Sequence, residues 1–174
     1  MNRVLLVEQL PALRRYARAL AGDAWAADDL VQDTLERACA KWHFWAAGTD
    51  LRAWLFTLMH NLYLNQRRSA RLRPLAVNID DVEGELPAPA NAGDDPLDLA
   101  RCLQRLPAEQ RAILLLVTIE DMSYEEAANV LAIPVGTVMS RLSRARSRLR
   151  ELMDGAQPAA RTAPTHAPTL RRMK

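Results

Sequence analysis

Apolar residues recur at three- and four-residue spacing through most of the chain, which is the period of an amphipathic α-helix. The first such face consists of Leu6, Leu10, Leu13, Ala17 and Leu20. Gly22 ends this helix, and the carboxylate of Asp23 is suited to cap the next one. The second face consists of Ala27, Leu30, Val31, Thr34, Ala38 and Trp42. On the opposite side, Asp29, Asp33 and Glu36 form a carboxylate stripe, which taken alone is most simply an ordinary solvated face.

A third helix is predicted from about Thr49 to Leu72, with leucines on its buried side. Those leucines are Leu51, Leu55, Leu58 and Leu62. At about 100 degrees per residue, a mixed set of rings and cations falls on one outward arc. The arc consists of Phe56, His60, Tyr63, Leu64, Arg67 and Arg71. Because unpaired bases stack on aromatic rings while arginine holds the backbone, the arc predicts a nucleic-acid surface.

The other aromatic residues near this helix have two interpretations. For Trp54 core packing is favoured. For Trp42, Phe44 and Trp45, packing and base contact agree equally well with the sequence.

Residues 74–96 separate two regions of helical pattern. They hold four prolines, two glycines and six acidic residues but no lysine or arginine, which predicts a flexible acidic linker. The linker divides the chain into an N-terminal helical domain over residues 1–73 and a C-terminal helical domain over residues 97–153. Alanine, proline and threonine dominate residues 154–174, which are predicted to be a disordered tail. The predicted fold class is therefore all-α, with two small domains.

The C-terminal domain is predicted to have four helices, the last two forming a helix-turn-helix. Ser123 and Glu126 have the spacing of a capping box, and Pro134 interrupts the pattern before a longer helix. The apolar stripe of that helix is Val135, Val138, Leu142, Ala145, Leu149 and Leu152. Five arginines, with no acid between them, occupy its other faces at positions 141, 144, 146, 148 and 150. Such crowding of like charge is costly without an anionic partner, so this helix is predicted to bind DNA.

Composition sets further limits. The hydrophobic fraction is 49% and the charged fraction 25%, which is ordinary for a soluble globular protein. No signal peptide or membrane span is predicted, which favours the cytoplasm. Cys39 and Cys102 lie in apolar helical patterns and are interpreted as small hydrophobes rather than redox groups. No catalytic residue, metal site or cofactor is predicted, because the acids lack a neighbouring histidine, a phosphate loop or a nucleophile motif.

Three segments together resemble bacterial RNA polymerase sigma factors of the extracytoplasmic-function (ECF) group. The first runs from Asp28 to Asp33, and the second runs from Gly48 to Leu55 with Asn61 and Arg67-Arg68 after it. The third comprises residues 106–111, 123–128, 134–141 and 144–146. The resemblance covers about residues 8–72 and 97–153, in the order of the family.

The resemblance implies three contact surfaces. The polymerase-binding residues would be Asp29, Leu30, Gln32, Asp33 and Glu36, facing the clamp helices of the largest subunit. The minus-ten DNA residues, which would capture an extruded base and hold adjacent phosphates, would be Trp45, Thr49, Asp50, Asn61, Arg67, Arg68 and Arg71. The minus-thirty-five DNA residues would be Gly136, Thr137, Ser140, Arg141, Arg144, Arg146 and Arg148.

The partners implied by the resemblance are core RNA polymerase, including the flap of its second-largest subunit, promoter DNA and an anti-sigma factor. An anti-sigma factor could also hold the chain at the inner membrane. The alternative is a stand-alone helix-turn-helix regulator whose N-terminal domain senses a ligand or dimerises. A nucleic-acid enzyme is a more distant alternative, because the catalytic constellation is missing.

Overall fold

The computed structural model describes residues 3–45, 50–72 and 96–156, and all regular structure within them is helical. The described residues form seven α-helices. These are α1 (Arg3–Ala21), α2 (Ala24–Ala40), α3 (Leu51–Leu72), α4 (Pro96–Gln104), α5 (Ala108–Thr118), α6 (Tyr124–Leu131) and α7 (Val135–Ala156). A short 3-10 helix, Trp42–Phe44, follows α2. Nearly all of the predicted linker and tail lie outside the described residues. Their described ends are helical, because α4 begins at Pro96 and α7 extends three residues into the predicted tail, to Ala156.

Local hydrogen bonds set the ends of the N-terminal helices. Gly22 follows α1 with a φ of +82°, a conformation in which a Cβ is strained. The Asp23 carboxylate then caps α2 by accepting from the Ala26 amide at 2.7 Å, as predicted. Asp50 accepts from the amides of Arg52 and Ala53 in the same way, so α3 begins at Leu51, slightly later than expected.

The predicted capping box is present at the start of α6. The Ser123 hydroxyl accepts from the Glu126 amide at 3.1 Å, and the Glu126 carboxylate accepts from the Ser123 amide at 2.7 Å. These bonds lower the pKa of the Glu126 carboxyl, because they favour its charged form. The helix ends at Ala132 in the left-handed region, φ +53°. A tight turn to α7 follows and completes the helix-turn-helix.

The N-terminal helices α1, α2 and α3 pack on one another through the predicted apolar faces. Leu13, Leu20 and Ala38 are fully buried, and Leu30 is nearly so. Tyr16 of α1, which the pattern did not single out, is also buried and meets the ring of Phe56 edge-on at 5.1 Å.

In the C-terminal half, α5 is the central helix. All six residues from Arg111 to Leu116 are buried, because α5 packs against α1 on one side and against α6 and α7 on the others. A helix that is covered all round shows little amphipathic period. Its sequence pattern therefore could not indicate which face meets which neighbour.

The two halves of the chain pack directly on each other, with α3 against α6 and α1 against α4 and α5. Phe56, His60 and Tyr63, which were predicted to face outward from α3, are buried. Phe56 meets Tyr16 of α1, whereas the Tyr63 hydroxyl accepts from Arg111 of α5. That part of the prediction is wrong. The period of α3 identifies two faces, but it cannot tell a solvated face from one covered by a distant part of the chain.

Candidate polymerase and nucleic-acid interfaces

The predicted carboxylate stripe lies on the outer surface of α2. Asp29, Gln32, Asp33 and Glu36 are all exposed, and their spacing places them along one side of the helix. Within the stripe, the Gln32 amide donates to the Glu36 carboxylate at 3.0 Å. Gln66 of α3 donates to Asp33 at 3.1 Å, which fixes one end of the stripe against the neighbouring helix.

Leu30 lies elsewhere. Its side chain is only 1% exposed and belongs to the core between α2 and its neighbours. Leu30 therefore offers no surface to a partner in this arrangement, and its position supports a core role. The physical reason is its spacing from Ala27, Val31 and Thr34, which lie on the same buried face.

The aromatic residues after α2 form a small cluster. Trp42 contacts Trp45 with ring centroids 5.0 Å apart, and it meets Trp54 of α3 edge-on at 6.4 Å. Trp45 is half-buried, and its indole Nε1 is buried without a hydrogen-bond partner. Asp50 is exposed, and one carboxylate oxygen caps α3. Thr49 lies outside the described residues.

Among the other minus-ten residues whose side chains the structure describes, two are exposed on α3. Asn61 and Arg68 are both exposed, and their seven-residue spacing places them on one face. Arg67 is half-buried, with its guanidinium 5.8 Å from the centre of the Tyr63 ring. Arg71 lies in the last turn of α3, where the structure describes only its backbone.

The predicted minus-thirty-five residues lie on α7, whose buried side is Val138, Leu142 and Ala145. Five of them are exposed: Gly136, Ser140, Arg144, Arg146 and Arg148. Thr137 is half-buried, and its backbone carbonyl accepts from the Ser140 hydroxyl at 3.1 Å. Arg141 is half-buried and forms an ion pair with Glu109 at 2.8 Å, so one of the predicted DNA contacts is occupied within the chain.

An ionic cluster joins the two halves of the chain, and sequence reasoning missed it. Glu120, between α5 and α6, is 0% exposed. Both of its carboxylate oxygens accept from the Arg15 guanidinium, at 2.9 and 2.8 Å, and one also accepts from Arg52 at 2.9 Å. The hydrogen bond to Glu120 raises the pKa of Arg15 above its ordinary value. We call Glu120, Arg15 and Arg52 the Glu120 cluster. No local signal in the sequence pairs residues so far apart.

A second polar network also crosses between the halves. The Gln104 amide donates to the Ala19 carbonyl at 2.9 Å, directly over Gly22, where a Cβ would collide with the Gln104 side chain. Arg111, which is 6% exposed, donates to the Gln104 side chain and to the Tyr63 hydroxyl, the latter at 3.1 Å. The Gln104 side chain lies against Gly22, and the hydrogen bonds of Gln104 and Arg111 hold it there. These contacts together determine how α4 and α5 pack on α1 and α3.

Beside this network lies a cavity of about 560 Å³ between the two halves. His60 and Arg68 line it from α3, and Arg111 and Arg141 line it from α5 and α7. Burial lowers the pKa of His60 to about 4, so its imidazole is neutral near pH 7. The cavity brings together residues of the predicted minus-ten and minus-thirty-five sets in one place.

Comparison with known proteins identifies both halves. The family model described as the Sigma2 domain of PhyR matches residues 6–60, and the model of Sigma-70, region 4 matches residues 97–149. The ECF RNA polymerase sigma factor EcfG of Rhodopseudomonas palustris is 36% identical over 160 residues, which cover 87% of this chain and 86% of that protein. This chain belongs to the ECF RNA polymerase sigma factors. The ECF sigma factor SigL of Mycobacterium tuberculosis is 39% identical over 157 residues, 86% of this chain and 87% of that protein.

Two solved structures share the fold of this chain. The sigma factor RpoE in complex with the anti-sigma factor NepR, from Bartonella quintana, matches with a TM-score of 0.70 and 38% identity over 87% of this chain and 96% of that chain. CnrH in complex with the cytosolic domain of CnrY matches with a TM-score of 0.63 and 31% identity, over 87% and 86% of the two chains. The predicted all-α fold and ECF sigma membership are confirmed, and the stand-alone regulator is not favoured.

Two further findings concern the described part of this sigma factor. None of its helices there is long and apolar enough to cross a membrane. Within the same ranges, no group of histidine, cysteine or acidic side chains is arranged to hold a metal ion. Of the two cysteines, Cys39 is exposed and Cys102 is buried, and both are free thiols.

Proposed function

We propose that this ECF sigma factor binds core RNA polymerase through α2 and directs initiation at promoters with a minus-ten and a minus-thirty-five element. The observation that carries the proposal is the separation of two oppositely charged surfaces. One is the exposed carboxylate stripe on α2, and the other is the row of exposed arginines on α7. A polymerase-binding surface and a DNA-binding surface need opposite charges, and here each lies on a separate helix.

The α2 stripe fits a basic protein surface such as the clamp helices of the largest polymerase subunit. Asp29, Asp33 and Glu36 present three carboxylates along one side of a rigid helix. Complementary charge orients the encounter and speeds association, while Gln32 adds a neutral hydrogen-bonding group in the middle. The C-terminal half, joined through the predicted linker, would reach the flap of the second-largest subunit.

The minus-ten element would meet the N-terminal half where the aromatic cluster and the exposed face of α3 offer two kinds of contact. Extruding a base from the stack costs a few kcal/mol, which a pocket with aromatic walls offsets. Trp45 supplies a half-buried ring with a free indole N–H, and Asn61 supplies an exposed amide. Arg68 lies two helical turns beyond Asn61, in a position to hold a phosphate.

The minus-thirty-five element would meet α7 in the major groove. The N-terminal turn of α7 is exposed at Gly136 and Ser140, so it can approach base edges. Arg144 and Arg148 follow along the helix and supply charge to phosphates. Arg141 has to break its ion pair with Glu109 before it can contact DNA. Its DNA contact is therefore weaker than that of an arginine without such a pair.

In the packed arrangement described here, the sigma factor would bind promoter DNA weakly. Tyr63 is buried and its hydroxyl accepts from Arg111 of the C-terminal half, and Arg67 is half-buried beside the Tyr63 ring. Polymerase would separate the halves by binding each at a different place. An anti-sigma factor would hold the free chain inactive in the cytoplasm, or at the inner membrane if that partner spans it.

The test is transcription from a candidate promoter by purified core polymerase, with and without the chain. Specific transcripts should appear only when the chain is present. The double variant Asp29→Ala/Asp33→Ala should bind core polymerase at least about tenfold more weakly, because both carboxylates lie in the interface. Glu8→Ala, which removes an exposed carboxylate from α1, is the matched control. Unchanged core affinity of the double variant would remove α2 from the proposal.

A further inference from the structure

Two nitrogen atoms at the contact between the halves lack a partner. His60 Nδ1 and Arg111 Nε are buried, and neither has a hydrogen-bond partner among the residues that the structure describes. Both residues are 6% exposed and both line the interdomain cavity. A buried polar atom without a partner costs about 1–3 kcal/mol, so two beside one cavity mark a place where the packing of the halves leaves hydrogen-bonding capacity unused.

The charge of the cavity wall indicates what kind of ligand fits there. Four arginines line it, Arg67 and Arg68 from α3, Arg111 from α5 and Arg141 from α7. The only acid among the lining residues is Glu109, which is already paired with Arg141. The lining therefore carries an excess of three positive charges, four arginines less one glutamate, while burial keeps His60 neutral. An anion of two or more charges, such as a di- or triphosphate, matches this balance.

Apart from Gln104, the rest of the wall is apolar. Leu64 of α3 faces Leu106, Leu131 and Ile133 of the C-terminal half across the same cavity. At about 560 Å³ the cavity falls in the size range of small-molecule sites and is too small for a DNA duplex. A flat ring on the apolar wall with phosphates on the arginines would fill both surfaces.

We propose that this cavity binds a nucleoside polyphosphate, held between the two halves by Arg67 and Arg68 on one side and by Arg111 and Arg141 on the other. The inference concerns a ligand site and does not rest on promoter binding. Because the wall of the site comes from both halves, the ligand binds the packed arrangement and not the separated one. By linkage, it stabilises the packed arrangement as its concentration rises above its dissociation constant.

The experiment is titration calorimetry on the full chain with three probes, which are ATP, inorganic tripolyphosphate and adenosine. ATP should bind saturably, tripolyphosphate more weakly because it leaves the apolar wall empty, and adenosine weakest. Arg68→Gln and Arg141→Gln should each weaken ATP binding about tenfold, because each removes one charge-assisted hydrogen bond. Arg148→Gln, also on α7 but outside the cavity, is the matched control and should leave the affinity unchanged.

A second measurement tests the place of binding. Fluorophores on the exposed Cys39 of α2 and on an introduced Ser143→Cys of α7 report the separation of the halves, and ATP should increase energy transfer between them. Three results would overturn the proposal: no saturable ATP binding at millimolar concentration, an equal loss in Arg148→Gln, or ATP binding without increased energy transfer. If tripolyphosphate binds as tightly as ATP, the inference that the apolar wall holds a nucleoside is overturned.

Discussion

Arg52 donates from one guanidinium nitrogen to two oxygens of Glu120, at 2.9 Å to its carboxylate and at 2.6 Å to its backbone carbonyl. The same arginine lies 5.5 Å from the centre of the Phe56 ring. Arg15 completes the cluster from α1. Since both arginines belong to the N-terminal half and Glu120 to the C-terminal half, all of these hydrogen bonds are lost when the halves separate. The Glu120 cluster therefore contributes to the balance between packed and separated forms.

The substitution Glu120→Gln should favour separation of the halves. The amide keeps the shape of the side chain but removes the carboxylate with which both arginines pair. The packed form should lose about 1–3 kcal/mol of stability relative to the separated form. Solvent reduces this loss, because the side chains of Arg15 and Arg52 are 52% and 34% exposed. Energy transfer between labels on Cys39 and Ser143→Cys should fall. Binding of a single-stranded minus-ten oligonucleotide should become tighter, as more of α3 is uncovered.

Glu125→Gln is the control for this substitution, because Glu125 is an exposed acid on the neighbouring helix α6. It makes the same change of charge outside the cluster. If both variants give the same energy transfer as the original chain, the cluster does not hold the halves together.

Acid should destabilise the packed form through His60. Its pKa is about 4 when buried and about 6.5 when exposed, so the separated or unfolded chain takes up a proton first. Stability is therefore fully present above about pH 6.5 and is lost as the pH falls toward 4, by about 2 kcal/mol between pH 7 and pH 5. Chemical denaturation at a series of pH values measures this loss. The other charged groups lining the same cavity are Arg67, Arg68, Glu109, Arg111 and Arg141.

His60→Gln should remove most of this pH dependence, since glutamine does not titrate. The series is kept above about pH 5, because protonation of the Glu126 carboxyl also decreases the stability at lower pH. This follows from the lowered pKa of Glu126 in the folded chain. If the free energy of unfolding falls equally steeply with pH in the original chain and in His60→Gln, His60 is not the group responsible for the acid destabilisation.

Arg144→Ala should weaken binding of the chain to a minus-thirty-five duplex and make that binding less sensitive to salt. If Arg144 contacts one phosphate, the slope of log affinity against log salt concentration should fall by about 1. Arg105→Ala removes an exposed arginine of the same half, outside α7, and should change neither quantity. A drop in affinity with an unchanged salt slope would instead assign Arg144 to base contact.

Ser123→Ala should destabilise the helix-turn-helix, because the Glu126 amide loses its acceptor and the capping box is broken. The expected decrease in the free energy of unfolding is about 1 kcal/mol, measured by urea denaturation. Ser147→Ala, at an exposed position inside α7, provides the comparison and should be close to neutral. Equal effects of the two substitutions would mean that the cap adds nothing to stability.

Most helices and their ends were predictable because they depend on neighbours in the chain. Successive residues of the apolar face from Leu6 to Leu20 are three or four positions apart. The cap at Asp23 and the capping box at Ser123 each join residues three positions apart. The carboxylate stripe on α2 and the arginines of α7 were predictable for the same reason, since opposite faces of one helix follow from its period. The period also placed Leu30 on the apolar face of α2, where it is buried, whereas its polymerase role is implied only by the resemblance and stays a prediction.

The sequence by itself determined seven helices, the caps of α2 and α6, two oppositely charged surfaces and the family. Only the tertiary structure decided how the halves meet, because that depends on pairs such as Arg15 and Glu120, which are 105 residues apart and share no local pattern. It also decided that Phe56 and His60 are buried rather than exposed. A helical period records which residues share a face, whereas what covers that face is set by contacts between distant parts of the chain.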